Sequence, residues 1–275
     1  MRIANLLAGS GNDRFPGLQV PSGLVPADVE VELVETGLYV DPMGAAACAL
    51  LDATVTAAAV RAESEGFNAA FINSTTDYGL DAIRSLVGIP VVGCGEAGMK
   101  AATSLGERFA IIQVWPAWAR QLDESVLRAV GVTDRCCAIR NVAATGEEDE
   151  VHVAMIEGVG DRRQQMLTRI LTAAEAAIQQ DGAEVILLGC TCMSAITGEL
   201  SARVGVPVVD PLVAGYLAAE GLARSGLKPV PATDPVTTAR LASLFETAGA
   251  ALEEGDGNQI ESCAVCATTQ QASPA

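Results

Sequence analysis

The chain has 275 residues, half of them apolar and few aromatic, with 17 Lys and Arg against 34 Asp and Glu for a net charge of −17. That balance disfavours nucleic acid and anionic membranes as partners, because both reward positive charge. It leaves room for a small anionic ligand held by local amide groups. No signal peptide is legible in Met1–Leu7, and no apolar run approaches the roughly 20 residues of a membrane span, so a cytoplasmic protein is expected.

Strand and helix patterns alternate from the start, which predicts an α/β class with parallel sheets. Arg2–Ala8 reads as a strand, followed by the turn-forming run Gly9-Ser10-Gly11-Asn12-Asp13. Ala45–Glu65 reads as a helix, with Leu51, Val55, Ala58 and Ala59 at helical spacing. Strand Asn68–Asn73, helix Gly79–Leu86 and strand Pro90–Val92 come next, then helix Glu96–Leu105 and strand Phe109–Val114. The acidic run Gly146–Glu150 reads as a solvated loop or a helix start. Helix Arg162–Gln180 carries Met166, Leu167, Ile170, Leu171, Ala174 and Ile178 on one face. It feeds strand Glu184–Leu188, strand Val206–Val209 and helix Val213–Arg224. From about Glu253 to Ala275 the residues turn polar and small, which predicts a loosely held tail.

Two segments read as copies of each other. Gly66-Phe67-Asn68-Ala69-Ala70-Phe71-Ile72-Asn73-Ser74-Thr75 answers Gly182-Ala183-Glu184-Val185-Ile186-Leu187-Leu188-Gly189-Cys190-Thr191, and Gly88-Ile89-Pro90-Val91-Val92 answers Gly205-Val206-Pro207-Val208-Val209. Ser74 and Cys190 therefore occupy equivalent places 116 residues apart (190 − 74), a spacing of domain size. Two α/β halves are expected, one formed by residues 1–108 with about 206–230 and the other by 109–205. A cleft between them would aim both side chains at one bound molecule.

In open α/β sheets ligands bind beyond the carboxyl ends of the strands. Ser74-Thr75-Thr76 and Cys190-Thr191-Cys192 lie there, presenting hydroxyls or thiols together with backbone N–H groups about to enter a helix. Such N–H groups hold a carboxylate, and hold a developing enolate oxygen still better. A cysteine among them gains thiolate character. The bland reading is that small Ser, Thr and Cys residues after buried strands are helix caps or tight-packing positions. Trp115 and Trp118 follow a strand end, where an aromatic either walls a pocket or packs against a neighbour or subunit. Cys192 is a second thiol in the site or a buried small side chain. Cys94 reads as core, Asp77 and Glu96 as helix-start carboxylates, and His152, the sole histidine, as a surface residue. Without a secretory signal the eight cysteines default to free thiols, and Cys263-Ala264-Val265-Cys266 has metal-like spacing without a second complete pair after it. No metal is expected.

The run Ser64-Glu65-Gly66-Phe67-Asn68-Ala69-Ala70 through Asp77-Tyr78-Gly79-Leu80-Asp81-Ala82-Ile83-Arg84 resembles the aspartate/glutamate/hydantoin racemase superfamily, nearest its hydantoin racemase branch. Pro90-Val91-Val92-Gly93-Cys94-Gly95-Glu96-Ala97 and Leu188-Gly189-Cys190-Thr191 extend the likeness, which covers roughly residues 1–225. The resemblance implies two pseudo-symmetric α/β domains, no cofactor, a homo-oligomer, and two cysteines that handle a Cα proton from opposite faces of a small-molecule substrate. The second cysteine falls on Cys190, but the first falls on Ser74, a far weaker acid than a thiol. The single-cysteine site is similar to that of arylmalonate decarboxylase, whose hydroxyl pair would fall on Thr75 and Thr76 and whose aromatic residue would fall near Trp115. Hydantoin racemases carry an Asn-Pro-Asn-Thr-like turn after the first strand, whereas this chain has Ala8-Gly9-Ser10-Gly11-Asn12. The expected site is Cys190 and Ser74 as proton carriers, with Asn73, Thr75, Thr76, Thr191, Ser10 and Trp115 around the substrate.

Overall fold

The computed structural model describes residues 1–9, 18–157, 160–230, 232 and 234–256. Short apolar runs bounded by turn residues form two four-stranded parallel sheets. The first contains β1 (Arg2–Leu7), β2 (Glu30–Glu35), β3 (Ala69–Ile72) and β4 (Val91–Gly93) in the order β2-β1-β3-β4. The second contains β5 (Phe109–Gln113), β6 (Cys136–Asn141), β7 (Val185–Leu188) and β8 (Val208–Val209) in the order β6-β5-β7-β8. The duplication read from sequence thus reappears as one strand order used twice.

Register repeats as well as order. Ile3 lies opposite Ala69 in the first sheet, and Phe109 opposite Val185 in the second. Ala70 pairs with Val91 as Ile186 pairs with Val208. The amides of Ala70 and Ile186 each donate to a proline carbonyl, Pro90 O and Pro207 O, both at 2.9 Å.

The helices are α1 (Ala45–Ser64), α2 (Leu80–Leu86), α3 (Cys94–Leu105), α4 (Arg120–Val130), α5 (Glu148–Val151), α6 (Gly160–Asp181), α7 (Thr197–Ser201), α8 (Pro211–Ser225) and α9 (Pro235–Asp256). The face read on α6 is the one that packs, with Met166, Leu167, Ile170, Leu171 and Ala174 buried against β5 and β7. Although α1 has the length and apolarity of a membrane span, against the sequence expectation, its apolar residues serve the core. Leu51, Val55, Ala58 and Ala59 bury against β1 and β3, and Leu241, Ala242 and Phe245 of α9 cover the same cluster.

Two helices tie the halves together. Met99 and Ala102 of α3 pack with Phe109, Ile111 and Leu187 of the second sheet, although α3 leaves the first. Leu212, Tyr216 and Ala219 of α8 pack with Ile3, Phe71 and Val92 of the first sheet, although α8 leaves the second. The expected halves, 1–108 with about 206–230 and 109–205, return the chain to the first half at about residue 206 and keep α3 there. Packing instead sets α3 and β8 with the second sheet and returns the chain to the first only at α8. Close contact of the exchanged helices depends on Gly215, where a Cβ would lie 2.4 Å from Cys94 Sγ.

The acidic run expected as a loop or helix start begins α5, and Glu147 just before it pairs with Arg169 at 2.7 Å. Residues 253–256, expected to be loosely held, continue α9 instead, because the helix runs to Asp256. The remainder of that tail, with Cys263 and Cys266, lies outside the described residues, as does Ser10.

Candidate active site

The two central strands end alike. Asn73 N donates to Leu6 O and Gly189 N to Ile112 O, each at 2.8 Å, closing the ladder one residue before Ser74 and Cys190. Each small side chain then accepts from the amide two residues on. Thr76 N donates to Ser74 Oγ at 3.1 Å, and Cys192 N donates to Cys190 Sγ at 3.3 Å. Such local turns are the usual habit of a hydroxyl or thiol at a strand-to-helix junction.

The turns also clasp each other across the halves. Thr75 Oγ1 donates to Gly189 O at 2.7 Å, and Thr191 Oγ1 donates to Asn73 O at 3.4 Å. Each threonine bonds the carbonyl just before the other turn, so one pseudo-two-fold relation covers all four contacts. Ser74 and Cys190 flank this clasp, both half-buried, at the carboxyl ends of the two sheets. The structure therefore brings together Ser74, Thr75, Thr76, Cys190 and Thr191.

The clasp narrows two of the expected roles. The hydroxyl hydrogens of Thr75 and Thr191 go to protein carbonyls, so these residues set the distance between the loops. Asn73 is buried, and its amide donates to Leu18 O at 2.8 Å beside the amide of Asn5 at 3.1 Å. It anchors the far end of the loop after β1 rather than facing the junction. Thr76 keeps its side chain beside the Tyr78 phenol.

Trp115 follows β5 and turns its indole towards Cys190, favouring the thiolate. Its ring lies 6.1 Å from that of Trp118 at a tilt of 39°, and it packs on the core of the second half. The Cys190 thiol is held below its usual value, foremost by a hydrogen bond from the Cys192 thiol, against the opposing push of burial. Cys94 is buried, as expected, and burial raises its thiol.

Four further residues reach the junction unannounced by the sequence reading. Tyr39, after β2, and Tyr78, after β3, both feel the charge of Cys190, and burial raises both phenols. Both stay neutral at neutral pH, and the Tyr39 hydroxyl donates to Asp41 Oδ1 at 3.3 Å. Asp123 of α4 is buried and accepts from Gln113 Nε2 at 3.0 and 3.1 Å, while the same nitrogen donates to Gly189 O at 2.8 Å. This chain fixes the carbonyl that Thr75 grips. Its signal in the sequence was a polar residue at each of two apolar positions, the end of Phe109–Gln113 and the inner face of Arg120–Val130.

Burial pushes Asp123 up to about 7. The unfolded chain ionises near pH 3.9, so stability is lost as pH rises from there to about 7. Asp123→Asn removes that loss. Its stability relative to the parent should rise by about 2–4 kcal/mol between pH 4 and pH 8, read from urea unfolding at both.

Carboxylates fix the helices behind the turns. Asp77 accepts from Gly95 N at 2.8 Å and Glu96 N at 2.7 Å, capping α3. Asp210 accepts from Leu212 N at 2.9 Å and Val213 N at 3.3 Å, capping α8. A cavity of about 300 Å³ lies elsewhere, between β6 and α6, and its arginines Arg140 and Arg169 are tied to Asp181 and Glu147.

Two parallel α/β halves with paired polar turns at the carboxyl ends of their central strands define a class of duplicated α/β proteins. The chain belongs to the Asp/Glu/hydantoin racemase family, whose model matches residues 40–219. A hydantoin racemase from Paenarthrobacter aurescens is 35% identical over 152 residues, covering 54% of this chain and 59% of that protein. Across the hydantoin racemases it matches, the aligned stretch spans 59–64% of their length. An allantoin racemase from Klebsiella pneumoniae superposes with a TM-score of 0.69 at 22% identity, over 84% of this chain and 90% of that one. An arylmalonate decarboxylase superposes with a TM-score of 0.56 at 20% identity, over 84% and 96%. These two likenesses speak to the fold.

Proposed function

We propose that this chain is a cofactor-independent racemase or epimerase acting at the Cα of a small amino-acid derivative, hydantoin or carboxylate. The observation that carries the reading is the reciprocal threonine clasp, which sets Ser74 and Cys190 on either side of one junction. The Cys190 thiolate takes the Cα proton, and the electron pair of the broken C–H bond passes into the neighbouring carbonyl. The enolate oxygen is met by turn amides and by the neutral O–H groups of Thr76 and Tyr78. Such preorganised donors matter as much as the base, because a Cα proton is a weak acid. Reprotonation from the opposite face restores the carbon in inverted form, with Ser74 relaying the proton. The hydantoin racemase relatives and the lowered Cys190 thiol support this assignment.

A second reading rests on Ser74, whose oxygen accepts from the Thr76 amide rather than meeting a base. A single thiol that protonates one face of an enolate after loss of carbon dioxide would be a lyase. The test incubates the protein with enantiopure 5-substituted hydantoins, amino acids and prochiral malonates. Loss of optical rotation without carbon dioxide supports the racemase. Carbon dioxide release with one product hand supports the lyase, and turnover of none refutes both. On the racemase reading Ser74→Cys raises racemisation by about tenfold or more, since a second thiol supplies an efficient acid on the facing side.

A further inference from the structure

We propose that Gln113 is a positioning residue that holds the Cys190 turn against the Ser74 turn by fixing the carbonyl of Gly189. This rests on the reading of the junction as the active site and adds what keeps the junction in place. Gln113 ends the apolar run Phe109-Ala110-Ile111-Ile112 and is 3% exposed, so its amide must find its partners within the protein. Nε2 carries two hydrogens. One goes to Gly189 O at 2.8 Å, and the other is shared between the two Asp123 oxygens at 3.1 and 3.0 Å. Oε1 accepts from Trp115 N at 3.3 Å. Turning the amide over would set Oε1 against three oxygen atoms, so the ionised Asp123 fixes which way it faces.

The Gly189 carbonyl takes a second hydrogen, from Thr75 Oγ1 of the other half at 2.7 Å. Donors from opposite halves thus meet on one oxygen, one residue before Cys190. The close approach needs glycine, because a Cβ on Gly189 would stand 2.8 Å from Gln113 Cα and 3.0 Å from Nε2. The same amide places Trp115, whose carbonyl is held from the other side by Asn141 Nδ2 at 3.0 Å.

The first half has no such amide. The register that pairs Ile3 with Ala69 and Phe109 with Val185 makes Leu7 the counterpart of Gln113, and Leu7 is buried in the apolar core beside Leu18. The counterpart carbonyl, Asn73 O, accepts from Thr191 Oγ1 at 3.4 Å and from no side-chain amide among the described residues. The thiol half is therefore held by two short bonds where the hydroxyl half has one long one.

The test uses Gln113→Met, which keeps the length of the side chain and removes both hydrogen-bonding atoms. Because this also strands the buried Asp123 carboxyl, it is made alone and together with Asp123→Val, which replaces the whole pair by apolar groups. Assays run at pH 8, above the Asp123 midpoint of about 7. The proposal expects kcat to fall about 10- to 100-fold in both variants with KM little changed. Thermal unfolding should weaken in the single variant and return towards the parent in the double one, while kcat stays low. A double variant that regains parent kcat along with its stability would mean that Gln113 only satisfies Asp123, and overturns the proposal. Parent-like kcat in a folded single variant does the same, and if the single variant fails to fold the double one decides. The iodoacetamide labelling rate of Cys190, read by mass spectrometry, needs no substrate and should rise about threefold or more in the double variant as the half-buried sulfur gains access. An unchanged labelling rate there overturns the proposal whatever the activity. If Cys190 were not the base, turnover would survive Cys190→Ala while this labelling change stayed as described.

Discussion

Cys190→Ala lowers turnover by about 10³-fold or more, the upper range for loss of a positioned proton-transfer group. The loss should appear in kcat, since the sulfur acts on the carbon undergoing reaction. Stability is a separate matter. The Cys192 amide loses its acceptor, which costs about 1 kcal/mol, and the half-buried site leaves only a small void. Cys190→Ser refines the result. Its oxygen can still accept from the Cys192 amide and keep the turn, yet a hydroxyl is a far poorer base near neutral pH. The serine variant should therefore match the parent in thermal unfolding while being as inactive as alanine. Initial rates by polarimetry beside melting curves separate the two effects. A serine variant within tenfold of the parent would show that the thiol is not the base.

Gly95→Ala strikes the site from behind. A Cβ at Gly95 would stand 2.2 Å from Thr75 O and 2.9 Å from Thr75 C, both backbone atoms with no rotamer to yield. The turn must move, and with it the Thr75–Gly189 bond and the Asp77 cap on the Gly95 amide. Overpacking of this kind costs about 1–3 kcal/mol, and a displacement near 1 Å costs about 100-fold in rate. Gly98→Ala in the same helix is the control. Its Cβ would meet Leu187 Cδ1 at 2.9 Å, the end of a flexible side chain. That variant should keep most of its activity. Comparable kcat values for the two variants would mean that the position of the turn does not govern the reaction.

The repeat was legible because buried parallel strands leave continuous apolar runs, and because Gly-Ile-Pro-Val-Val and Gly-Val-Pro-Val-Val mark the same register twice. Two of the edge strands, β2 and β6, were not. β2 reads Glu30-Val31-Glu32-Leu33-Val34-Glu35, three of its six residues acidic, because an edge strand is only partly covered. β6, Cys136–Asn141, is mostly half-buried at the equivalent edge of the second sheet. The packing of α3 on the second sheet was also hidden, since an apolar helix face does not declare which sheet it will meet, whereas α8 was expected with the first half, where it packs. At the site, the strand-end positions of Ser74 and Cys190 followed from the duplication. Tyr39 did not, lying after a strand that was itself missed. Asn73 was read as a ligand contact because it follows β3, but strand-end residues alternate between facing the cleft and facing the core. Its amide went to Leu18.

The most direct measurement of the account is hydrogen exchange at the reacting carbon. An enantiopure substrate found active by polarimetry is incubated in deuterium oxide with the parent enzyme, and the Cα signal is followed by proton NMR. The account predicts that the signal disappears as rotation is lost, with deuterium in the inverted product, and that Cys190→Ala does neither while folded. Inversion that leaves the original proton on carbon, or exchange that proceeds unchanged in Cys190→Ala, would contradict it.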